Sequence, residues 1–143
     1  REIQNYLGRI SGPLLDRIDL HIEVPTVPFD KISGMEAGES SEQIKQRVVA
    51  ARKIQLRRFA QSKAIMCNAN MSSRALKVCC QLDEASLDLM KHAMAHVGLS
   101  ARAYDRILKV ARTIADLAQQ EHIHSDHVME AIQFRELDRQ IWT

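Results

Sequence analysis

Two arginines stand where a bound anion would meet both a guanidinium group and ordered backbone. Arg17 lies within RISGPLLDRIDLHIE (Arg9–Glu23), between a predicted turn and a predicted strand. Arg102 lies in the first turn of a long predicted helix that Ser100 caps. A guanidinium presents a planar fork of donors that matches phosphate oxygens, and a helix N-terminus attracts the same anions. The residue types and their settings are therefore compatible with recognition of a phosphate group, although from the residues alone ordinary surface roles are favoured for both arginines.

The residues alone leave a plainer alternative open for each arginine. Arg17 follows Asp16 directly and precedes Asp19 by two residues. Arg102 precedes Asp105 by three residues, which is contact spacing on a helix. Surface ion pairs of this kind are common and contribute about 1 kcal/mol or less. Spacing by itself does not distinguish such pairs from a phosphate site.

The stretch around Arg17 predicts the elements that would hold it. Ser11 can cap a short helical turn, and Pro13 suits the first helical positions, where a missing N–H costs little. Apolar residues then alternate with polar ones, which is the period of a half-buried strand. The apolar members are Ile18, Leu20 and Ile22. We therefore expect Arg17 at the joint between a turn and a strand.

A long basic helix is predicted from Ser40 to Ser62, with Ser40 and Gln43 forming a capping box. Its inward face is formed by Ile44, Val48, Ala51, Gln55 and Phe59. The candidate contact residues on its other faces are Lys45, Arg52, Lys53, Arg57 and Arg58. This surface is either simply solvated, or it contacts nucleic-acid phosphates or an acidic face of a neighbouring subunit. No aromatic residue is suitably interleaved, so base stacking by this helix is not expected.

Four further helices are predicted, each with a local start signal. The expected spans are 73–80, 84–96, 101–120 and 126–139, capped by Ser72 or Ser73, Asp83, Ser100 and Ser125. The third of these helices carries a stripe of Ile107, Leu108, Ala111, Ile114, Ala115 and Ala118 that is expected in the core. Its Arg106, Lys109 and Arg112 are expected on partly different faces, without a special role. Trp142 is expected to anchor the chain end by packing.

Histidine and cysteine patterns do not predict a metal site. His122, His124 and His127 are close in sequence, but a helix start at Ser125 would split them, and no recognised zinc spacing is completed. The three cysteines are Cys67, Cys79 and Cys80. An odd count with an adjacent pair does not suggest a disulfide framework, so we expect reduced thiols, with Cys79 and Cys80 packing as small core residues.

Size and composition indicate a helical domain in the cytoplasm. The chain has 143 residues, of which 45% are hydrophobic and only 4% aromatic, so the core is expected to be aliphatic. The net charge of +2 does not by itself argue for nucleic acid. No signal peptide and no apolar run of about 18 residues is present, so no membrane contact is expected. The chain opens with Arg1 inside a helical pattern, and we interpret it as a segment of a longer protein.

Three blocks of sequence resemble one family. SGPLLDRIDLHIEVP resembles the segment that follows the sensor-1 strand in the magnesium-chelatase-like branch of the AAA+ ATPases. More narrowly, it is similar to the competence-associated ComM (YifB-type) proteins. LSARAYDRILKVARTIADLA resembles the sensor-2 helix of the same family, and AIQFRELDRQIW resembles the end of its C-terminal domain. The blocks stand in family order and span nearly the whole chain.

The resemblance implies a role for each arginine. Arg17 would be the arginine finger that reaches the γ-phosphate of ATP in the neighbouring subunit, and Arg102 would be the sensor-2 arginine of its own subunit. The parent would be an Mg²⁺-dependent ATPase forming a ring, expected to be a hexamer, that acts on DNA as a helicase-like branch-migration motor in bacterial transformation. The alternatives are a DNA-binding or subunit-assembly module without ATP turnover, and metal insertion of the magnesium-chelatase type.

The predicted architecture is mainly α. Residues 1–33 are expected to end an α/β ATPase core, 34–41 to form a linker, and 42–143 to form a helical lid domain. The linker is not a phosphate loop, because three residues rather than four separate Gly34 from Gly38, and Glu39 stands in place of the lysine. We therefore expect this segment to bind no ATP or Mg²⁺ and to hydrolyse no ATP by itself.

Overall fold

The computed structural model describes Leu14 and residues 17–29, 38–97 and 99–135. These residues form helices α1 (Ser41–Arg58), α2 (Ser73–Cys79), α3 (Glu84–Val97), α4 (Ala101–Leu117) and α5 (Ser125–Gln133), with a 3₁₀ turn at Asn68–Asn70. The mainly α prediction is therefore confirmed. Several expected features lie outside the described residues: the Ser11–Pro13 turn, most of the 34–41 linker, the chain beyond 135 and Trp142.

Helix α1 begins as its sequence predicts. The Ser40 hydroxyl accepts from the Gln43 N–H at 3.3 Å, and the Gln43 side-chain oxygen accepts from the Ser40 N–H at 3.0 Å. This reciprocal pair satisfies two backbone donors that an uncapped helix would leave open. The capping box is therefore confirmed.

Side chains also cap the starts of α2, α3 and α4. In each case the capping oxygen accepts from a backbone N–H three residues later in the chain. The acceptor oxygens of Ser72, Asp83 and Ser100 lie 3.3, 2.8 and 3.1 Å from the backbone nitrogens they bind. Helix α5 differs from the prediction. Its cap is His124 rather than Ser125, and the His124 N–H donates to Nδ1 of His127 at 3.1 Å.

Helix α4 lies at the centre of the domain and contacts α1, α2, α5 and the 3₁₀ turn. Ile107, Ala111 and Ala115 are fully buried on it, as predicted, whereas Ala118 is exposed. Alanines at the contact let neighbouring helices approach closely. The core around them also contains Phe59, Met71, Leu76, Cys80, Met90, Leu108, Ile123, Val128 and Ala131.

The inward face predicted for α1 is correct only in its second half. Ala51, Gln55 and Phe59 are buried, but Ile44 and Val48 are 44% and 47% exposed. All residues from 41 to 49 are exposed, so the first two turns of the helix extend past the surface on which the rest packs.

The predicted strand after Arg17 is not formed. Residues 18–23 are irregular, and Ile18, Leu20 and Ile22 are 40%, 45% and 64% exposed. A strand requires a neighbour to pair its backbone groups, and none of the described residues forms a ladder with this segment. Its buried residue is His21, whose N–H donates to the Phe134 carbonyl oxygen at 2.8 Å. The segment therefore docks on the end of α5.

Candidate functional site

Arg17 and Arg102 line the same cleft, which has a volume of about 480 Å³. Three parts of the chain form it: the irregular segment after residue 17, the 3₁₀ turn and the first two turns of α4. The other lining residues are Asp19, Ala69, Asp105, Arg106 and Lys109. The fold thus brings together two arginines that are far apart in the sequence.

Helix α4 supplies most of the polar lining because of its spacing. Arg102, Asp105, Arg106 and Lys109 follow the i, i+3, i+4, i+7 pattern of a single helix face. Arg106, Lys109 and Arg112 were expected on partly different faces. Arg112 is buried away from the cleft, whereas Arg106 and Lys109 share the face of Arg102. The helical period alone was the signal that could have found them.

The cleft carries a positive balance. Its four basic and two acidic side chains give a formal charge of +2 (4 − 2). Arg106 forms an ion pair with Asp19, and the Lys109 ammonium donates to the Ala69 carbonyl oxygen at 2.9 Å. These contacts join the irregular segment and the 3₁₀ turn to α4. Two of the cations in the cleft are therefore engaged in holding its walls.

The ion-pair alternative for Arg102 is not realised, whereas the other plain alternative, an arginine that is simply exposed on the surface, agrees with the structure. Its side chain is exposed, and within the described part of the chain it forms no ion pair with Asp105. Arg17 is also exposed, and its N–H donates to the Leu14 carbonyl oxygen at 3.0 Å. The position of Arg102 in the first turn of α4 adds the attraction of a helix N-terminus for anions.

The shared cleft bears on one expectation drawn from the resemblance, which stays a prediction. The two guanidinium groups were expected to approach one triphosphate from different protomers. In this chain both arginines line one cleft of the same protomer.

The basic surface of α1 forms a separate region. Lys45, Arg52, Lys53 and Arg57 are all exposed. A groove of about 450 Å³ runs along this helix and includes three of these cations together with Val49 and Ile54. We call the four exposed cations the α1 basic face.

Arg58 does not belong to this surface, which corrects its selection as a contact residue. Its guanidinium donates to both carboxylate oxygens of Asp116, at 2.7 and 2.5 Å, and to the side-chain oxygen of Asn68 at 2.9 Å. The hydrogen bonds to Asp116 raise the pKa of Arg58 further above its ordinary value. The charge of Arg58 is therefore used inside the domain.

Sequence reasoning also missed the rest of this buried network. Asp116 is fully buried, and Arg112 is only 3% exposed, with its Nε 3.2 Å from Asp116. Arg112 donates to the carbonyl oxygens of Gln120 and Glu121 at 2.6 and 2.7 Å, which satisfies acceptors just after α4. Burial lowers the pKa of Arg112, whereas Asp116 opposes that effect. The sequence signal for this network was an aspartate four residues after an arginine, which is contact spacing on a helix.

The histidines and cysteines have ordinary positions. His127 is buried, and no group of three or more potential metal ligands occurs among the described residues. Cys67, Cys79 and Cys80 are unbridged, and Cys80 is buried in the core. Burial, followed by the neighbouring Cys79, raises the pKa of the Cys80 thiol to about 12.

The mainly helical fold agrees with that of the C-terminal domain of magnesium-chelatase-like proteins. The family model "Magnesium chelatase, subunit ChlI C-terminal" matches residues 38–135, and the chain belongs to this family. The model "Magnesium chelatase, subunit ChlI" matches residues 1–32.

Three relatives indicate which members of this family the chain resembles. The chain is 39% identical over 97% of its length to "Competence protein ComM" of Haemophilus influenzae. It is 44% identical over 94% of its length to "Uncharacterized protein YifB" of Escherichia coli, and 35% identical over 93% to an uncharacterized protein of Mycobacterium tuberculosis. It covers 26% of each relative, so it spans about a quarter of the proteins it resembles. None of the helices described above has both the length and the apolar character needed to cross a membrane.

Proposed function

We propose that this chain is the C-terminal part of a ring-forming AAA+ ATPase and that the cleft between Arg17 and Arg102 binds the phosphates of ATP. The observation that carries the proposal is the convergence of these two arginines on one positively charged cleft. Guanidinium groups bind phosphate oxygens bidentately, and α4 directs its N-terminus to the same region.

The two arginines would act by positioning and by charge. Transfer of the γ-phosphoryl group spreads negative charge over its equatorial oxygens, and the protein accelerates the reaction mainly by stabilising that charge. Arg102 would bind and orient the phosphates. Arg17 would serve as the arginine finger, a contribution typically worth about 10³–10⁵ in rate. Because both line one cleft, we propose that one protomer presents both to the same nucleotide.

We propose no Mg²⁺ ligand among the described residues, because the cleft carboxylate of Asp19 is already paired with Arg106. Mg²⁺ prefers carboxylate oxygens and phosphates. We therefore assign no step of the proposed reaction to a metal held by this segment.

The biological role that we propose is DNA remodelling during transformation, in the bacterial cytoplasm. The similarity to a protein named for competence supports it. The α1 basic face would contact DNA phosphates, or an acidic face of the next protomer in the ring. A ring, expected to be hexameric, would couple ATP turnover to movement on DNA.

The arginine assignments can be tested in the complete protein. We expect Arg17→Ala and Arg102→Ala each to reduce ATP turnover, by at least about 10³-fold in the case of the finger, with the lid domain still folded. For Arg102→Ala we expect weaker nucleotide binding as well. Arg74→Ala is the matched control, because Arg74 is an exposed arginine on α2, away from the cleft. Near-normal turnover in Arg17→Ala would refute the finger assignment.

A second candidate function is a helical module that binds DNA or assembles subunits without a role in ATP turnover. The exposed α1 basic face favours it. Gel shift of this chain with duplex DNA at low and moderate salt tests DNA binding, since phosphate contacts weaken with salt. Sedimentation of the complete protein with Arg52 and Arg57 reversed to glutamate tests assembly. Metal insertion of the magnesium-chelatase type is a third candidate, supported by the family name alone.

A further inference from the structure

The motif AIQFRELDRQIW has no role in the function proposed above, yet its Arg135 reaches the segment that carries Arg17. Arg135 is 1% exposed, and its Nη1 donates to the carbonyl oxygen of Ile18. The carbonyl oxygen of the preceding residue, Phe134, accepts from the His21 N–H at 2.8 Å. The end of α5 therefore holds the backbone immediately after Arg17 at two points.

Arg106 holds the same segment from another side. Its guanidinium pairs with the Asp19 carboxylate, one residue beyond Ile18. On the other side of this stretch, the Arg17 N–H donates to the Leu14 carbonyl oxygen at 3.0 Å. The backbone around Arg17 is thus fixed at residues 17, 18, 19 and 21, although it belongs to no helix or strand.

Anchoring of the backbone affects how tightly an exposed arginine on an irregular segment binds an anion. A flexible side chain on a flexible backbone must lose conformational entropy when it binds an anion, which weakens binding. Anchoring the backbone beforehand removes part of this cost and keeps the guanidinium within reach. A buried guanidinium suits this task, since it donates several hydrogen bonds in a fixed planar geometry.

We propose that Arg135, together with Arg106, is a positioning residue that holds the Arg17 turn on the helical domain. Arg17 and Arg102 then bind one polyphosphate as a fixed pair. This inference rests on the proposed function. Arg135 does not line the cleft, so it acts through the Ile18 backbone and does not touch the ligand. A substitution of Arg135 therefore tests positioning alone, whereas a substitution of Arg106 would also change the lining of the cleft.

A double-mutant cycle on the full 143-residue chain tests the inference, with inorganic tripolyphosphate as the probe and calorimetry at low ionic strength as the measurement. We expect Arg17→Ala to weaken binding about tenfold, because it removes the charge-assisted hydrogen bonds of Arg17 to the probe. We expect Arg135→Met to weaken binding by a similar factor, because it releases the backbone that holds Arg17. We expect the double variant to bind within about twofold of either single variant, because the two residues act as one unit. Additive effects would overturn the positioning role.

Two further variants separate positioning from general damage. Arg135→Lys retains the buried cation, so we expect it to bind tripolyphosphate more tightly than Arg135→Met. If both variants fold and bind equally weakly, a specific contact of Arg135 is contradicted. If Arg135→Met fails to fold, Arg135→Lys takes its place in the cycle, with a smaller but still non-additive effect. Arg74→Met, an exposed arginine on α2, should leave affinity unchanged.

Amide hydrogen exchange provides a readout that does not depend on phosphate binding. In Arg135→Met we expect the His21 amide to exchange about tenfold faster, while the amide of the buried Ile107 stays protected. Unchanged exchange at His21 would overturn the anchoring itself. If the unaltered chain does not bind tripolyphosphate, the pairing of Arg17 and Arg102 on one polyphosphate is contradicted, and the expectation that this segment alone binds no ATP stands. Faster exchange at His21 would then still identify Arg135 as the anchor.

Discussion

The Arg58 guanidinium donates to both carboxylate oxygens of Asp116, at 2.7 and 2.5 Å, and thereby joins the end of α1 to α4. Asp116 also accepts from the Asn68 amide at 2.8 Å and lies 3.2 Å from Nε of Arg112. One fully buried carboxylate therefore offsets two guanidinium groups and connects three parts of the domain.

Removing this carboxylate should destabilise the domain strongly. We expect Asp116→Asn to lower the free energy of unfolding by about 3 kcal/mol, because it leaves buried positive charge without its partner. Urea unfolding followed by circular dichroism measures the change. Asp88→Asn is the matched control, since Asp88 is exposed and pairs with Lys91 at 2.9 Å on the surface, and it should show no measurable effect. A decrease below about 1 kcal/mol for Asp116→Asn would contradict the assigned importance of the network.

Removal of the α1 cap should act locally. Ser40→Ala removes the acceptor for the Gln43 N–H, and the first two turns of α1 have little packing to hold them. We expect faster amide exchange at residues 44–48, with a global change in stability of less than about 0.5 kcal/mol. The control is Ser41→Ala, one residue later and also exposed. Equal exchange in the two variants would show that the capping box does not hold these turns.

Alkaline pH should weaken the fold through Cys80. Burial raises the pKa of this thiol from 9.0 to about 12 in the folded state. The folded state therefore favours the neutral thiol, and the stability it contributes is fully present below pH 9 and is lost between pH 9 and 12. We expect a slope of up to about 1.4 kcal/mol per pH unit in this window.

The measurement is the difference in unfolding free energy between the unaltered chain and Cys80→Ala at each pH, which cancels the titration of lysines and tyrosines. The difference should shrink as pH rises through the window. Cys67→Ala retains Cys80 and should follow the unaltered chain in its pH dependence. A constant difference from pH 9 to 12 would be inconsistent with the raised pKa.

The α1 basic face makes a quantitative prediction for DNA binding. Each side chain that binds a DNA phosphate should contribute about 0.9 to the slope of log K against log salt for duplex DNA. Arg52→Gln with Arg57→Gln should therefore reduce the slope by up to about 2 if both bind phosphates. Arg58→Gln should change stability rather than the slope, because Arg58 is paired with Asp116. A salt slope unaffected by the first pair would remove α1 from the DNA interface.

Local sequence patterns predicted the features that depend on neighbouring residues. Ser40, Ser72, Asp83 and Ser100 cap helices because each acts on an N–H only three residues ahead. The prediction of a strand after Arg17 was wrong because a strand depends on pairing with a segment that is distant in the sequence. Alternation of apolar residues indicates a strand only where another segment pairs with it, and no local pattern contains that information.

The sequence by itself therefore determined the helices, the caps of α1 to α4 and the arginine types suited to phosphate. The tertiary structure alone decided which charges meet: Arg58 with Asp116, Arg106 with Asp19, and Arg17 with Arg102 around one cleft. The physical reason is that helix signals act over three or four residues, whereas these contacts join residues 58 to 87 positions apart, and only the packing of α4 against its neighbours brings them together.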